Sequence, residues 1–415
     1  MKKKIAALLS LLMVSAVILP LLIKPVSSTP ARSAPPIVST AWLNANLRLT
    51  NLVVLDIRSP DLYNAGHIPG AINVPDYLWY ANPPFGEKAP WMEMPPEDYL
   101  FELIGNASIT RDSIVVVVGG TSGPLAPIPL ALYSTAGITR VAITLLYAGI
   151  ENVCILDGGY DKWVADRYST ETTPRMPTPK TYSGTVKKGM IVSKQYVAGK
   201  VGQSIIVDSR DAEVYLGFIQ EPWTARVGHI PTARSFPTPW LWNLNLNATG
   251  TGVNYATYKD VNVLETFANC IIGADKTKEI IIYCGVGGYA STMYFVLSEV
   301  LNYKDVKIYD GSAQEWTADL QLPVAYEGLG SEYMELQTDH NELQSRYNAL
   351  QNSYNSLQRN YDELQGSYRS LQADYDELAK STTPAYWTWT FVVTTIIFVL
   401  LTVWFAIKSR AKKVQ

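Results

Sequence analysis

The chain is short of cysteine, histidine and charge. Its 415 residues include three Cys and three His, and 17% are charged, with a net charge of −3. So few Cys and His, scattered along the chain, cannot assemble a zinc site, and neither a metal nor a cofactor is expected. A sparsely charged, slightly acidic chain lacks the basic footprint of a nucleic-acid binder. An odd number of cysteines cannot be closed into internal disulfides, so at least one is free or pairs between chains. Cys154 and Cys270 are the two that could bridge, which leaves Cys284 as the natural free thiol.

Long apolar runs are confined to the two ends. Lys2-Lys3-Lys4 precedes an apolar stretch from Ile5 to Ile23, followed by small and polar residues up to Ala34. This is the layout of a secretory signal over residues 1–30. The stretch approaches spanning length, Pro20 interrupts it, and no single cleavage motif stands out, so an uncleaved anchor is the alternative. Residues 385–407 carry no charge and are long enough to span a bilayer. Tyr386, Trp387 and Trp389 flank one end and Trp404 the other, as in an aromatic belt. The tail 408–415 follows with Lys408, Arg410, Lys412 and Lys413, which the positive-inside rule places in the cytoplasm. The expectation is a single-pass protein of the cell membrane with its main body extracytoplasmic. Two glycosylation sequons, at Asn106 and Asn247, are weak signals in the same direction.

Residues 331–380 repeat every seven positions. Leu336, Leu343, Leu350, Leu357, Leu364, Leu371 and Leu378 form one series; Tyr333, Tyr347, Tyr354, Tyr361, Tyr368 and Tyr375 form the other, with His340 in the gap. Interleaved three and four apart, they share one helix face and predict a coiled-coil stalk with Tyr at a and Leu at d. Such a stalk implies a homo-oligomer, dimer or trimer. A long single helix packed on the globular part is the alternative, which a strict heptad disfavours.

The body between the ends is an internal repeat. Asp56-Ile57-Arg58 is answered by Asp208-Ser209-Arg210, Gly66-His67-Ile68-Pro69 by Gly228-His229-Ile230-Pro231, and Asp157-Gly158-Gly159 with Trp163 by Asp310-Gly311-Ser312 with Trp316. The offset is 152 residues at the first motif, 162 at the second and 153 at the last, so a whole domain is duplicated with its motifs in the same order. The first copy is set at 35–171, a Pro- and Thr-rich linker at 172–185, and the second copy at 186–327. Apolar runs at 52–55, 114–118 and 153–156 predict strands of the first copy. Those at 204–207, 279–283 and 306–309 predict strands of the second. Continuous rather than alternating apolar runs suit a parallel sheet covered on both faces, so the fold class is α/β.

Cys284 is the residue on which chemistry is expected. It follows the apolar run Ile280–Tyr283 and opens the loop Gly285-Val286-Gly287-Gly288-Tyr289, after which a helix begins at Ala290. A sulfur in that position faces unpaired backbone N–H groups and a helix N-terminus, a setting that lowers a thiol pKa. The alternative is a buried structural cysteine.

These motifs together resemble the tandem-domain rhodaneses, the thiosulfate and 3-mercaptopyruvate sulfurtransferases, over about 290 residues. The resemblance implies a catalytic Cys284 in the second copy and an inert first copy, in which Gly119 stands at the equivalent position and the domain walls the site. It implies a double displacement: Cys284 takes sulfur from a small anionic donor, becomes a persulfide, and yields the sulfur to a thiol or cyanide. The N–H groups of Gly285, Val286, Gly287, Gly288 and Tyr289 are expected to cradle the anionic sulfur as a nest. The loop has no cation of its own. Cys-Gly-Val-Gly is similar to mercaptopyruvate-type loops, but Gly288-Tyr289 departs from them, which leaves the donor open. Arg226 and then Arg234 are the candidates for gripping the donor, with surface ion pairing as the alternative for each. Asp208 and Arg210 are expected to be a structural pair, and His67, His229, Trp163 and Trp316 packing residues. A Cys-based phosphatase would need Cys-x5-Arg, and Ala290 stands at that Arg position. The remaining rival is a non-catalytic, membrane-tethered rhodanese-like binding module.

Overall fold

The computed structural model of the chain describes residues 32–81, 91–121, 128–246, 253–326, 330–382 and 385–411. The expected signal, the Asn247 sequon, and Lys412 and Lys413 lie outside them.

The run Ile114-Val115-Val116-Val117-Val118 is β-branched throughout and buried at every position. Such a segment fits only between two other strands with helices on both faces. It forms the centre of a five-stranded sheet made of β1 (Ile37–Val38), β2 (Leu52–Asp56), β3 (Ile72–Asn73), β4 (Ile114–Val118) and β5 (Val153–Leu156). The order is β1-β5-β4-β2-β3, and every neighbouring pair is parallel. The second copy repeats this with β6 (Ile191–Val192), β7 (Ile205–Asp208), β8 (Arg234–Ser235), β11 (Glu279–Tyr283) and β12 (Asp305–Tyr309). Its order, β6-β12-β11-β7-β8, is that of the first sheet, and it too is parallel. The second copy also carries an antiparallel hairpin, β9 (Trp242–Asn245) with β10 (Tyr255–Tyr258). All six runs expected to be strands are strands, to within a residue at their ends.

Four helices matter for the site: α1 (Ile128–Tyr147), α2 (Val261–Ile271), α3 (Gly288–Tyr294) and α4 (Ser312–Ala318). From Val141 to Leu146, α1 is buried on every side, because it serves both domains. It packs against α3, which continues into a π-helical turn, Phe295–Val300. At their crossing Thr139 Oγ1 and Thr292 Oγ1 share a hydrogen bond of 2.6 Å. Residues 139 and 292 are 153 apart, the offset that separates Asp157 from Asp310. Equivalent residues therefore meet each other, as at the axis of a two-fold interface. The repeated Asp-Gly motifs obey the same symmetry. Asp310 of the second domain accepts from Met94 N of the first (2.7 Å), and Asp157 of the first accepts from Tyr258 N of the second (2.9 Å). One hydrophobic core runs through the junction, from Leu55 and Val117 to Ile282 and Met293.

The chain divides into two compact units, 1–330 and 331–415. In the second, α5 (Gly330–Thr382) is one uninterrupted helix of 53 residues, roughly 80 Å long at 1.5 Å per residue. The heptad leucines from Leu343 to Leu378 are each more than half exposed along it. α6 (Ala385–Ala411) follows; its segment Tyr386–Arg410 has a mean hydropathy of 2.5, none of it is buried, and it is long and apolar enough to cross a membrane. Within this unit Tyr375 stacks on Phe391 with ring centroids 5.8 Å apart.

The possible bridge between Cys154 and Cys270 is not formed. All three cysteines are free. Cys154 is enclosed in the first domain's core on β5, while Cys270 is exposed on α2 of the second.

Candidate active site

β11 ends at Tyr283, and its neighbour β7 ends at Asp208, directly across the ladder. The chain then turns sharply enough to start α3 within four residues. Gly287 makes the turn possible with a φ of +98°, a left-handed conformation that glycine tolerates best. A Cβ there would also approach Arg140 Nη1 and Asp310 Oδ1 at 3.1 Å. At Gly285 the constraint is space, since a Cβ would lie 2.3 Å from Trp223 Nε1 and 2.7 Å from Glu221 Oε2.

The back of the loop is held by α4. Cys284 N donates to Ser312 Oγ (3.3 Å), while Ala313 N and Gln314 N donate to the carbonyls of Cys284 and Gly285. The Asp-Gly-Ser motif thus braces the cysteine from behind. In front, Gly287 N donates to Cys284 Sγ at 3.0 Å.

Cys284 is 3% exposed, and the acidity of its thiol departs from expectation. Burial pushes the Cys284 thiol up. The N–H groups of Ala290, Val286 and Gly287 pull it down, and the nearby Glu221 carboxylate pushes it up further. Burial wins, so the expected lowering is reversed. Of the five N–H groups expected to cradle the sulfur, Val286 and Gly287 face it, Ala290 joins them, and residues of the first domain cover the loop.

Cys284 opens onto a cavity of about 390 Å³ between the two domains. The first domain supplies Asp76, Tyr80, Trp91, Met92, Tyr133 and Gly137; the second supplies Glu221, Trp223, the cysteine loop and Tyr289. Tyr133 stacks on Tyr289 across the junction (5.1 Å, 4°), and Trp91 tilts against Trp223 (5.9 Å). Burial raises the Glu221 carboxyl to about 7, against the pull of Arg210, whose Nη1 is 3.6 Å away.

The structure brings Cys284, Gly285, Val286, Gly288 and Tyr289 to the cavity, with Gly287 just behind them. It does not bring Arg226 or Arg234 there. The Arg226 guanidinium donates to the carbonyls of Trp316, Thr317 and Asp319 at the end of α4. Arg234 Nη1 donates to the carbonyls of Ile271 and Ile272 at the end of α2. Both cap helix C-termini, where a cation complements the dipole. Arg210 is buried against Asp208 (2.6 Å) and also donates to Gly228 O. Arg58 does the same with Asp56 and Gly66 O in the first domain, so this pair ties strand to loop in both copies. His67 and His229 stack on Tyr63 and Tyr215 at 3.8 Å each. Trp163 and Trp316 are buried, their indole N–H groups on the carbonyls of Ser169 and Pro323.

Sequence reasoning missed Glu221, Trp223, Tyr133, Trp91 and Arg140. Arg140, on α1, makes a fully buried ion pair with Asp310 at 2.6 Å and so sits directly behind the loop. None of the five belongs to a repeated motif. The available signal was the Glu221-Pro222-Trp223 insertion between two matching motifs. In the first domain Gly119 follows β4 as Cys284 follows β11. A Cβ there would meet Ile138 at 2.7 Å, so side chains already fill the place of a sulfur.

Duplicated parallel sheets with one cysteine in the loop after the second central strand define a tandem-domain protein of the Cys-loop kind. The Rhodanese-like domain family matches residues 39–166 and 193–319, and the chain belongs to it. A Synechococcus elongatus protein named "Putative thiosulfate sulfurtransferase" is 31% identical over 76% of this chain and 93% of its own length. The "Sulfur carrier protein TtuD" of Thermus thermophilus is 27% identical over 70% of this chain and 96% of its own. The fold is shared with the anaerobic ergothioneine biosynthesis enzyme of Chlorobium limicola, solved with trimethyl histidine, at a TM-score of 0.57 and 21% identity, over 71% of this chain and 70% of that one. A structure of EanB that carries a cysteine persulfide with ergothioneine has the same fold (TM-score 0.57, 20% identity, 71% of each chain). The chain is a sulfurtransferase.

Proposed function

We propose that Cys284 carries the sulfur. Its thiolate attacks the outer sulfur of thiosulfate; the donor S–S bond breaks and sulfite leaves with the electron pair, forming a Cys284 persulfide. With 3-mercaptopyruvate, the C–S bond breaks instead; its electron pair leaves on carbon as the pyruvate enolate, which takes a proton from water to give pyruvate. A thiol or cyanide then attacks the outer sulfur, and Cys284 departs as thiolate. The observation that supports this most is the Gly287 N–H at 3.0 Å from Sγ, at the floor of a cavity roomy enough for a small donor. That donor N–H stabilises negative sulfur both before transfer and as the leaving group.

The second copy, 186–327, is the catalytic domain in this reading, and the first, 35–171, completes its cavity across the 172–185 linker. The chain is held at the cell membrane by residues 385–407, with its domains extracytoplasmic, the tail 408–415 cytoplasmic, and copies associated through 331–380.

A donor panel tests the activity. Full-length protein in detergent, assayed with thiosulfate and with 3-mercaptopyruvate against cyanide, is expected to give parallel double-reciprocal lines with at least one donor. Turnover unaffected by Cys284→Ser would refute the assignment.

A further inference from the structure

The walls of the Cys284 cavity say more than the loop does. Five aromatic rings line it: Tyr80, Trp91, Tyr133, Trp223 and Tyr289. Its ionisable side chains, apart from tyrosine and the cysteine itself, are the two carboxylic acids Asp76 and Glu221, and among the described lining residues there is no Lys or Arg. The nearest guanidiniums are already engaged: Arg210 with Asp208, and Arg140 with Asp310. Glu221 and Trp223 lie beside the loop, where the Glu221 carboxylate pairs with the Trp223 indole N–H and lies 3.6 Å from Arg210 Nη1.

Aromatic rings interspersed with carboxylic acids, as along this wall, are complementary to an organic ammonium ion. A small anion meets the backbone N–H groups of the loop and neutral tyrosine, serine and tryptophan side chains, with no cation among them, and is opposed by any ionised carboxylate. The mismatch grows once the first half-reaction is over, because a persulfide adds its own negative charge.

Resting on the sulfurtransferase reading above, we infer that the acceptor emptying the Cys284 persulfide is a small thiol bearing an ammonium group, held in the aromatic cage of Tyr133, Tyr289, Trp91 and Trp223. The step balances without a further reactant. The acceptor thiolate attacks the outer sulfur, a new S–S bond forms, the old one breaks, and its electron pair leaves on Cys284 Sγ. The product is the acceptor's persulfide.

Three thiols of similar size separate the possibilities: thiocholine (cationic), 2-mercaptoethanol (neutral) and 3-mercaptopropionate (anionic). Full-length protein is first loaded to the persulfide, verified by intact mass, and discharge is then followed in a single turnover, with rates normalised per thiolate. Thiocholine is expected to discharge the enzyme roughly tenfold faster than the neutral thiol, with the anion slowest. Choline, which has no thiol, should slow the thiocholine reaction and quench tryptophan fluorescence. Tyr133→Leu, at a position 43% exposed and so safe for folding, should erase most of the cation preference. Equal rates for all three thiols, an anion preference, or no response to choline would each overturn the inference. A persulfide that forms but shows no cation preference counts against the inference alone. Failure to form a persulfide counts against the underlying reading, and choline quenching then still tests the cage.

Discussion

At the scale of single residues the site is a contest between burial and hydrogen bonding on one sulfur. The loop gives Cys284 three N–H groups, and the cover from the first domain removes its water. Its thiol therefore titrates above the ordinary value, and its thiolate population grows as pH rises through the alkaline range. Glu221 adds to the upward push. Glu221→Gln is expected to shift the pH profile of iodoacetamide alkylation toward lower pH, with several-fold faster reaction at pH 7.5. An unchanged or alkaline-shifted profile would show that the carboxylate does not act on the sulfur. The cysteine and its loop were legible in the sequence because a strand, a glycine run and a helix start follow one another locally. The direction of its pKa was not, since Met92 and Tyr133, more than a hundred residues upstream, supply the cover.

At the scale of elements, the domains are joined by α1 crossing α3, with the Arg140–Asp310 pair behind the loop. Removing one partner of a buried ion pair leaves the other charge stranded, at about 3–5 kcal/mol. Asp310→Asn is expected to lower the urea midpoint accordingly and to depress activity, because Asp310 also holds Met94 N. A midpoint within error of the wild type would contradict this. Glu93 lies beside the same pair, and burial foremost, with Asp310 next, raises it to about 7. Its folded-state pKa exceeds the ordinary carboxyl value, so the folded form holds the proton more tightly. That contribution is full below about pH 4.5 and is lost as pH rises through about 7. Thermal midpoints should accordingly fall between pH 5.5 and 8, and Glu93→Gln should flatten the fall. The strands themselves could be read from their apolar runs. The helix crossing could not, because Thr139 and Thr292 are ordinary polar residues until symmetry brings them together.

At the scale of the whole molecule, duplication explains most of the architecture. Two copies with the same strand order pack about a pseudo-two-fold axis, one keeps the sulfur, and the other fills that place with Ile138 and lends its surface to the cavity. The repeat, the heptads and the apolar helix are all periodic or compositional features, which is why the sequence displays them. The cavity is neither, being assembled from segments far apart in the chain. Full-length protein is expected to remain with membranes and, in detergent, to run as an oligomer. A chain ending after residue 326 should be soluble and monomeric. A monomeric full-length protein would remove the case for a coiled-coil stalk, and a truncated form that still oligomerised would place the contact in the globular unit.

Sulfur transfer through Cys284 is tested by intact-mass spectrometry of the protein under non-reducing conditions, before and after incubation with thiosulfate or 3-mercaptopyruvate. A gain of one sulfur atom is expected, located on the peptide containing Cys284, removed by cyanide and absent from Cys284→Ser. A gain that persists in Cys284→Ser, or no gain with either donor, would contradict transfer through Cys284.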